Sequence, residues 1–232
     1  MDDAASASAR LRQKLELVEP LVGLPGRMLL EHPHAAEIYP RYLAAGYHVT
    51  CAMLELMEAA LARASELDDE ISRAGLAQYL ERHLVEETHH EEPGGAVLDD
   101  LRALGEDADK LVAETASDKI ASLVAGERRR IHDEHPVAIL GFLELEACHT
   151  RRDVVEKLIA VTGLPRAGFG QLLLHSRLDA VHASDLHDVL DSLPLKPHHE
   201  RLVGLSALTT VGAVADAMLD VVGQPVVPVL RG

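Results

Sequence analysis

From Leu172 to Val189 an apolar rhythm of three and four residues is interrupted at three consecutive places, by His175, Asp179 and His182. A helix advances about 100° per residue, so these three side chains fall within an arc of roughly 60°, in line with Leu172, Leu186 and Val189. The stretch reads HSRLDAVH. As a helix it must bury its apolar seam, and whatever covers the seam must satisfy two imidazoles and a carboxylate. That requirement constrains the fold more than any other feature of the chain.

The rest of the sequence agrees with a helical protein. Ala and Leu dominate, while the 232 residues include two Phe, four Tyr and no Trp. No stretch shows clean period-two alternation, and tight hairpin signals are absent. Nearly half of the residues are hydrophobic, enough to bury a substantial core. Punctuation by Pro93-Gly94-Gly95, Gly105, Gly163 and the prolines 136 and 165 predicts helices near 8–20, 34–64, 69–92, 96–104, 107–131, 136–161, 165–191 and 197–222. Bends are expected near Pro40 and Gly46. The connections are short and the composition does not shift. The expectation is therefore one helical domain over residues 8–222, between a flexible tail at 1–7 and a loose tail at 223–232.

The helix that ends before Pro93 repeats the opening pattern. Its apolar seam runs Leu76, Leu80, His83, Glu87 and His90, so a leucine seam again turns into metal-ligand residue types. Glu87 and His90 stand about 4.5 Å apart along the axis and 60° around it. This Glu-x-x-His spacing lets one helix offer a carboxylate and an imidazole to one metal. Glu86 and His89 have the same spacing but face away from the seam. A third element, HPVAILGFLELEACH, carries Glu144 and Glu146 among apolar neighbours, and one of the two is expected to point inward and need a cationic partner. His149 repeats the spacing behind Glu146. His132, His135, His187, His198 and His199 show no such pattern and read as surface or capping residues.

A single histidine on an apolar helix face is ordinarily a satisfied core residue. Three ligand types on one seam, and a second such seam elsewhere, favour a metal. The set is oxygen and nitrogen without thiolate, which suits non-haem iron or manganese better than structural zinc. Six candidate ligands exceed the needs of one tetrahedral ion. Two metals sharing a carboxylate are the natural arithmetic.

On these residues the chain resembles the haem-oxygenase-like di-iron oxidases and oxygenases. The resemblance spans about residues 30–220 and rests on HLVEETHHEEPGGAVLDDLRALG, on a Glu of GFLELEA, and above all on His-x3-Asp-x2-His late in the chain. It implies an all-α, single-domain, seven-helix haem-oxygenase-like bundle that binds two Fe(II) ions, with manganese as the alternative. It implies O2 as co-substrate, an external reductant and electron donor, and oxidation of a small-molecule substrate. N-oxygenation of an amine or amino-acid-like metabolite in a biosynthetic pathway is the leading expectation. Oxidative C–C cleavage, decarboxylation or desaturation is the second, and a non-catalytic metal- or partner-binding helical protein the third. The ligands it implies are Glu87 and His90, then Glu146 (whose LEA context matches better than that of Glu144), then His175, Asp179 and His182. One departure stands out: in some relatives the first carboxylate lies further upstream, and one heptad before His90 this chain has His83.

The net charge of −16 argues against nucleic acid, which needs clustered Lys and Arg. The basic run Arg128-Arg129-Arg130 reads as a solvated helix face. Residues 204–223 are apolar but broken by Asp216 and Asp220, so no membrane span is expected. Cys51 and Cys148 read as reduced and structural, and the acidic start, without an apolar core region, is not expected to be a secretory signal. The expected setting is the cytoplasm, with a homodimer left open.

Overall fold

The computed structural model describes residues 5–87, 94–145 and 151–223. It is all-α, and the described residues contain no strand. Three short helices, α1 (Ala7–Leu15), α2 (Glu19–Val22) and α3 (Leu24–Glu31), lead into α4 (Ala35–Glu66). The remaining helices are α5 (Ala77–Glu87), α6 (Gly95–Ala103), α7 (Ala108–Glu114), α8 (Asp118–Arg129), α9 (Ile139–Leu143), α10 (Arg152–Thr162), α11 (Gly170–Ser192) and α12 (Pro197–Val222).

Two long helices organise the bundle. The first half of α4, from Ala35 to Ala45, joins Leu29, Val97, Leu101, Val155, Leu158 and Phe169 in one apolar cluster. Its second half, from Ala52 to Ala64, joins Leu76, Leu80, Leu123, Ile139, Leu140 and Leu186 in another. Helix α12 serves both, through Leu202, Val203 and Ala207 at one end and Met218, Val221 and Val222 at the other. It is long and apolar enough to cross a membrane, yet more than half of its most apolar stretch is buried in the fold. Asp216 and Asp220 lie on its exposed side, so the helix is amphipathic.

Helices α9 and α12 approach each other closely at Gly141. A Cβ added to Gly141 would fall 2.1 Å from the Val203 carbonyl oxygen and 2.8 Å from the Ala207 nitrogen. Only glycine lets the two backbones meet there.

Several expected helices are divided. The one expected from Asp69 does begin there, because Asp69 Oδ1 accepts the backbone N–H groups of Ile71 and Ser72. It then widens into a π-turn at Ser72–Leu76, where Gly75 takes φ +128°, before α5 starts at Ala77. The helix expected at 107–131 is two, since Thr115 ends α7 by returning its hydroxyl to the Leu111 and Val112 carbonyls. Ser117 then caps α8 by accepting from Lys119 N–H. The helix expected at 136–161 is interrupted as well, because Arg151 is extended (φ −75°, ψ 127°), which a continuing helix excludes. Conversely, α4 runs through Pro40 and Gly46, where bends are expected, as one helix.

Two further expectations need correction. Arg130 is not part of a solvated face: its guanidinium pairs with Glu127, which is fully buried and also accepts from Ser206 Oγ on α12. Burial pushes the Glu127 carboxyl up, and Ser206 and Arg130 oppose that rise. His187 is neither a surface nor a capping residue, since its Nε2 lies 3.3 Å from Glu144 Oε1. His135 and His199 do act as caps, their Nδ1 atoms accepting from Val137 N–H and Lys196 N–H. Cys51 is half-buried, which pushes its thiol pKa up. Cys148, His149 and the tail from 224 onward lie outside the described residues.

Candidate metal centre

Helix α5 follows directly from Gly75, and its seam keeps the expected phase: Leu76, Leu80 and His83 are buried at 1% exposure or less. Helix α11 presents Asp179, His182 and Leu186 on its buried side. Arg82 and Asp185 form an ion pair at 3.4 Å on the outer edge of the α5–α11 contact. Arg177 on α11 is exposed, and Ser176 returns its hydroxyl to the Leu173 carbonyl, so both stay off the seam.

Where the two seams meet, His83, Glu87 and His182 each bring one donor atom within 4.8 Å of the others. His182 Nδ1 lies 3.5 Å from Glu87 Oε1. The His83 and His182 rings meet edge-on with centroids 4.9 Å apart, and Tyr79 stacks nearly parallel to His83 with centroids 5.5 Å apart. His182 Nδ1 is buried with no hydrogen-bond partner among the described residues. An imidazole nitrogen and a carboxylate brought together out of water want either a proton or a cation between them. Donor atoms around a metal at about 2.1 Å sit roughly 3–4 Å apart. The cluster would close by about an ångström to reach that geometry. The group could hold a metal ion.

Earlier on α11, three to seven residues before His182, His175 Nδ1 lies 3.0 Å from Asp179 Oδ1. Asp179 is 4% exposed, and it is a paired carboxylate rather than a bare one. His175 and His182 are seven residues apart, about 10 Å along the axis, too far to serve one ion comfortably. The seam thus resolves into two neighbouring groups, His175 with Asp179 and His182 with His83 and Glu87.

Of the six ligands expected from the sequence, Glu87, His175, Asp179 and His182 are placed on these two facing seams. His90 and Glu146 lie outside the described residues, as does His89. His83 is the member that the expected set lacked. Its signal was its place on the Leu76–Leu80 seam, one heptad before His90. Glu86, expected off the seam, keeps 39% of its side chain exposed. On the third element the inward carboxylate among the described residues is Glu144, 1% exposed, with its pKa pushed up to about 7 by burial and partly held down by Arg12.

No protein-family model matches the chain, and no curated protein matches it. Solved structures do. A domain of unknown function with a haem-oxygenase-like fold from Shewanella denitrificans is 17% identical, with a TM-score of 0.74 over 91% of this chain and 90% of its own. A TenA homologue from Pseudomonas syringae pv. tomato is 12% identical, with a TM-score of 0.69 over 94% of each chain. At these identities the likeness concerns the fold. The chain has the haem-oxygenase-like fold.

Proposed function

We propose that this protein is a non-haem di-iron oxygenase that uses O2 to oxidise a small metabolite, with N-oxygenation of an amine or amino-acid-like substrate as the reaction. The observation that carries this reading is the meeting of His83, Glu87 and His182 in the interior of the α5–α11 contact. Two imidazoles and a carboxylate on one buried spot match iron or manganese chemistry. On the same seam His175, with Asp179 held against its Nδ1, would offer a further nitrogen donor to a neighbouring ion. Fold likeness alone would not select this function.

When bound, iron supplies the redox chemistry by which O2 oxidises an organic substrate. The chain's own part is to hold and to exclude. His83, Glu87 and His182 would hold one ion, His175 with its partner Asp179 would contribute to a second, and His90 and Glu146 would complete the proposed set. Leu76, Leu80 and Leu186 pack together at the end of the seam beside His83 and His182 and keep bulk water from the donors on that side. Insertion of one oxygen atom into an amine requires two electrons and two protons from a donor outside the chain, and the second oxygen leaves as water.

The test is anaerobic reconstitution with Fe(II), which should load about two equivalents per chain, followed by an O2 pulse. A transient visible absorption band supports an oxygenase. Iron that binds and stays inert to O2 would instead favour a metal-binding protein without this activity.

A further inference from the structure

We propose that Gln171 controls how readily His175 takes a metal, by occupying the imidazole nitrogen that the metal would need. The inference rests on the metal reading above. It starts from the beginning of α11, where Asp100 of α6 accepts two backbone N–H groups, Gly170 to Oδ1 at 3.0 Å and Gln171 to Oδ2 at 2.8 Å. Asp100 is 5% exposed, and a Cβ on Gly170 would come within 2.7 Å of its Oδ1. This cap from a neighbouring helix fixes the backbone from which the Gln171 side chain reaches down the α11 seam.

Four residues on, that side chain meets His175. Gln171 Nε2 is 2.7 Å from His175 Nε2, and His175 Nδ1 is 3.0 Å from Asp179 Oδ1. An amide nitrogen only donates, so His175 Nε2 accepts and bears the lone pair. The ring proton is then on Nδ1, where the Asp179 carboxylate accepts it. Both contacts demand the same neutral tautomer. Turning the amide to present its oxygen would require protons on both ring nitrogens.

That tautomer is the one a metal-binding histidine uses, with a carboxylate on one nitrogen and a lone pair on the other. In this chain the lone pair is engaged by Gln171. A metal approaching His175 must displace the amide, whereas His182 Nδ1 has no hydrogen bond among the described residues to give up. Metal therefore fills the His83–Glu87–His182 group first and the His175 group second, and Gln171 widens the gap between the two affinities.

The experiment is an anaerobic Fe(II) titration against a competing chelator, repeated with Co(II) as a visible probe, on wild type, Gln171→Leu and Gln171→Asn. Leucine removes the donor, and asparagine keeps an amide too short to reach. Wild type should bind in two steps, and both variants should tighten the weaker step about two- to tenfold, leaving the tighter step unmoved. Nitrogen NMR of the His175 ring in the metal-free wild type should show Nδ1 protonated and Nε2 accepting. A weaker step that ignores both variants, a single step in wild type that ignores them, a shift of the tighter step instead, or a proton on Nε2 would each overturn this inference and leave the metal site standing. A wild-type chain that binds neither metal would overturn both.

Discussion

His83 and Glu86 differ by less than one turn of α5 and should differ widely in consequence. His83 is 1% exposed and its ring lies against His182, while Glu86 reaches solvent, 4.0 Å from Arg82 and 3.9 Å from His83 Nδ1. His83→Ala should weaken Fe(II) binding by about tenfold or more, no less than the loss of an outer-shell partner costs. Glu86→Ala should change it by about twofold at most, as for an exposed ion pair. Chelator competition under anaerobic conditions measures both, and the reverse order would place the helix phase one residue off. At this scale the sequence was legible wherever burial follows periodicity. His175, Asp179 and His182 could be read from the rhythm because a helix of 23 residues keeps its phase without a break. The pairing of Asp179 with His175 was also implicit in the four-residue spacing. The contact of His187 with Glu144 was not, since it joins residues 43 positions apart on two helices whose packing no local pattern records.

At the scale of helices, boundaries depend on single residues whose effect is conformational. Gly75 follows an unbroken apolar pattern, so only its φ of +128° reveals that the helix is rebuilt there. Ser117 next to Asp118 is an ordinary start signal, but the apolar rhythm before it hid the stop at Thr115. Gly141 gives the sharpest test. Adding a methyl group there would drive it into the α12 backbone, so Gly141→Ala should cost about 1–3 kcal/mol. For a chain of this size that lowers Tm by roughly 2–12 °C. Gly212, on the same partner helix, has open space where a Cβ would go, and Gly212→Ala should raise stability by about 0.5–1 kcal/mol. Differential scanning calorimetry on the two variants checks the pair; equal effects would mean that the α9–α12 contact is not as close as described.

At the scale of the whole molecule, α4 and α12 form a continuous apolar frame, α5 packs on α4, and α11 packs on α1, α6, α9 and α10, where its ligand-bearing seam meets that of α5 at His83, Glu87 and His182. The frame supplies rigidity, and the seams spend some of the core on polar groups that the fold alone does not require. A buried set of donors is worth keeping only if something binds it, and binding to the folded chain raises its stability. The measurement is therefore the Tm of wild type and of His182→Leu, each with and without Fe(II) in the absence of oxygen. Wild type should gain about 2.7 kcal/mol at a hundredfold excess over Kd, a rise of roughly 5–11 °C. His182→Leu should fold as well as wild type without iron, or better, because leucine suits the seam. Its iron-dependent rise should collapse. Equal rises in both proteins, or none in wild type, would mean that His83, Glu87 and His182 meet in an ordinary helical core.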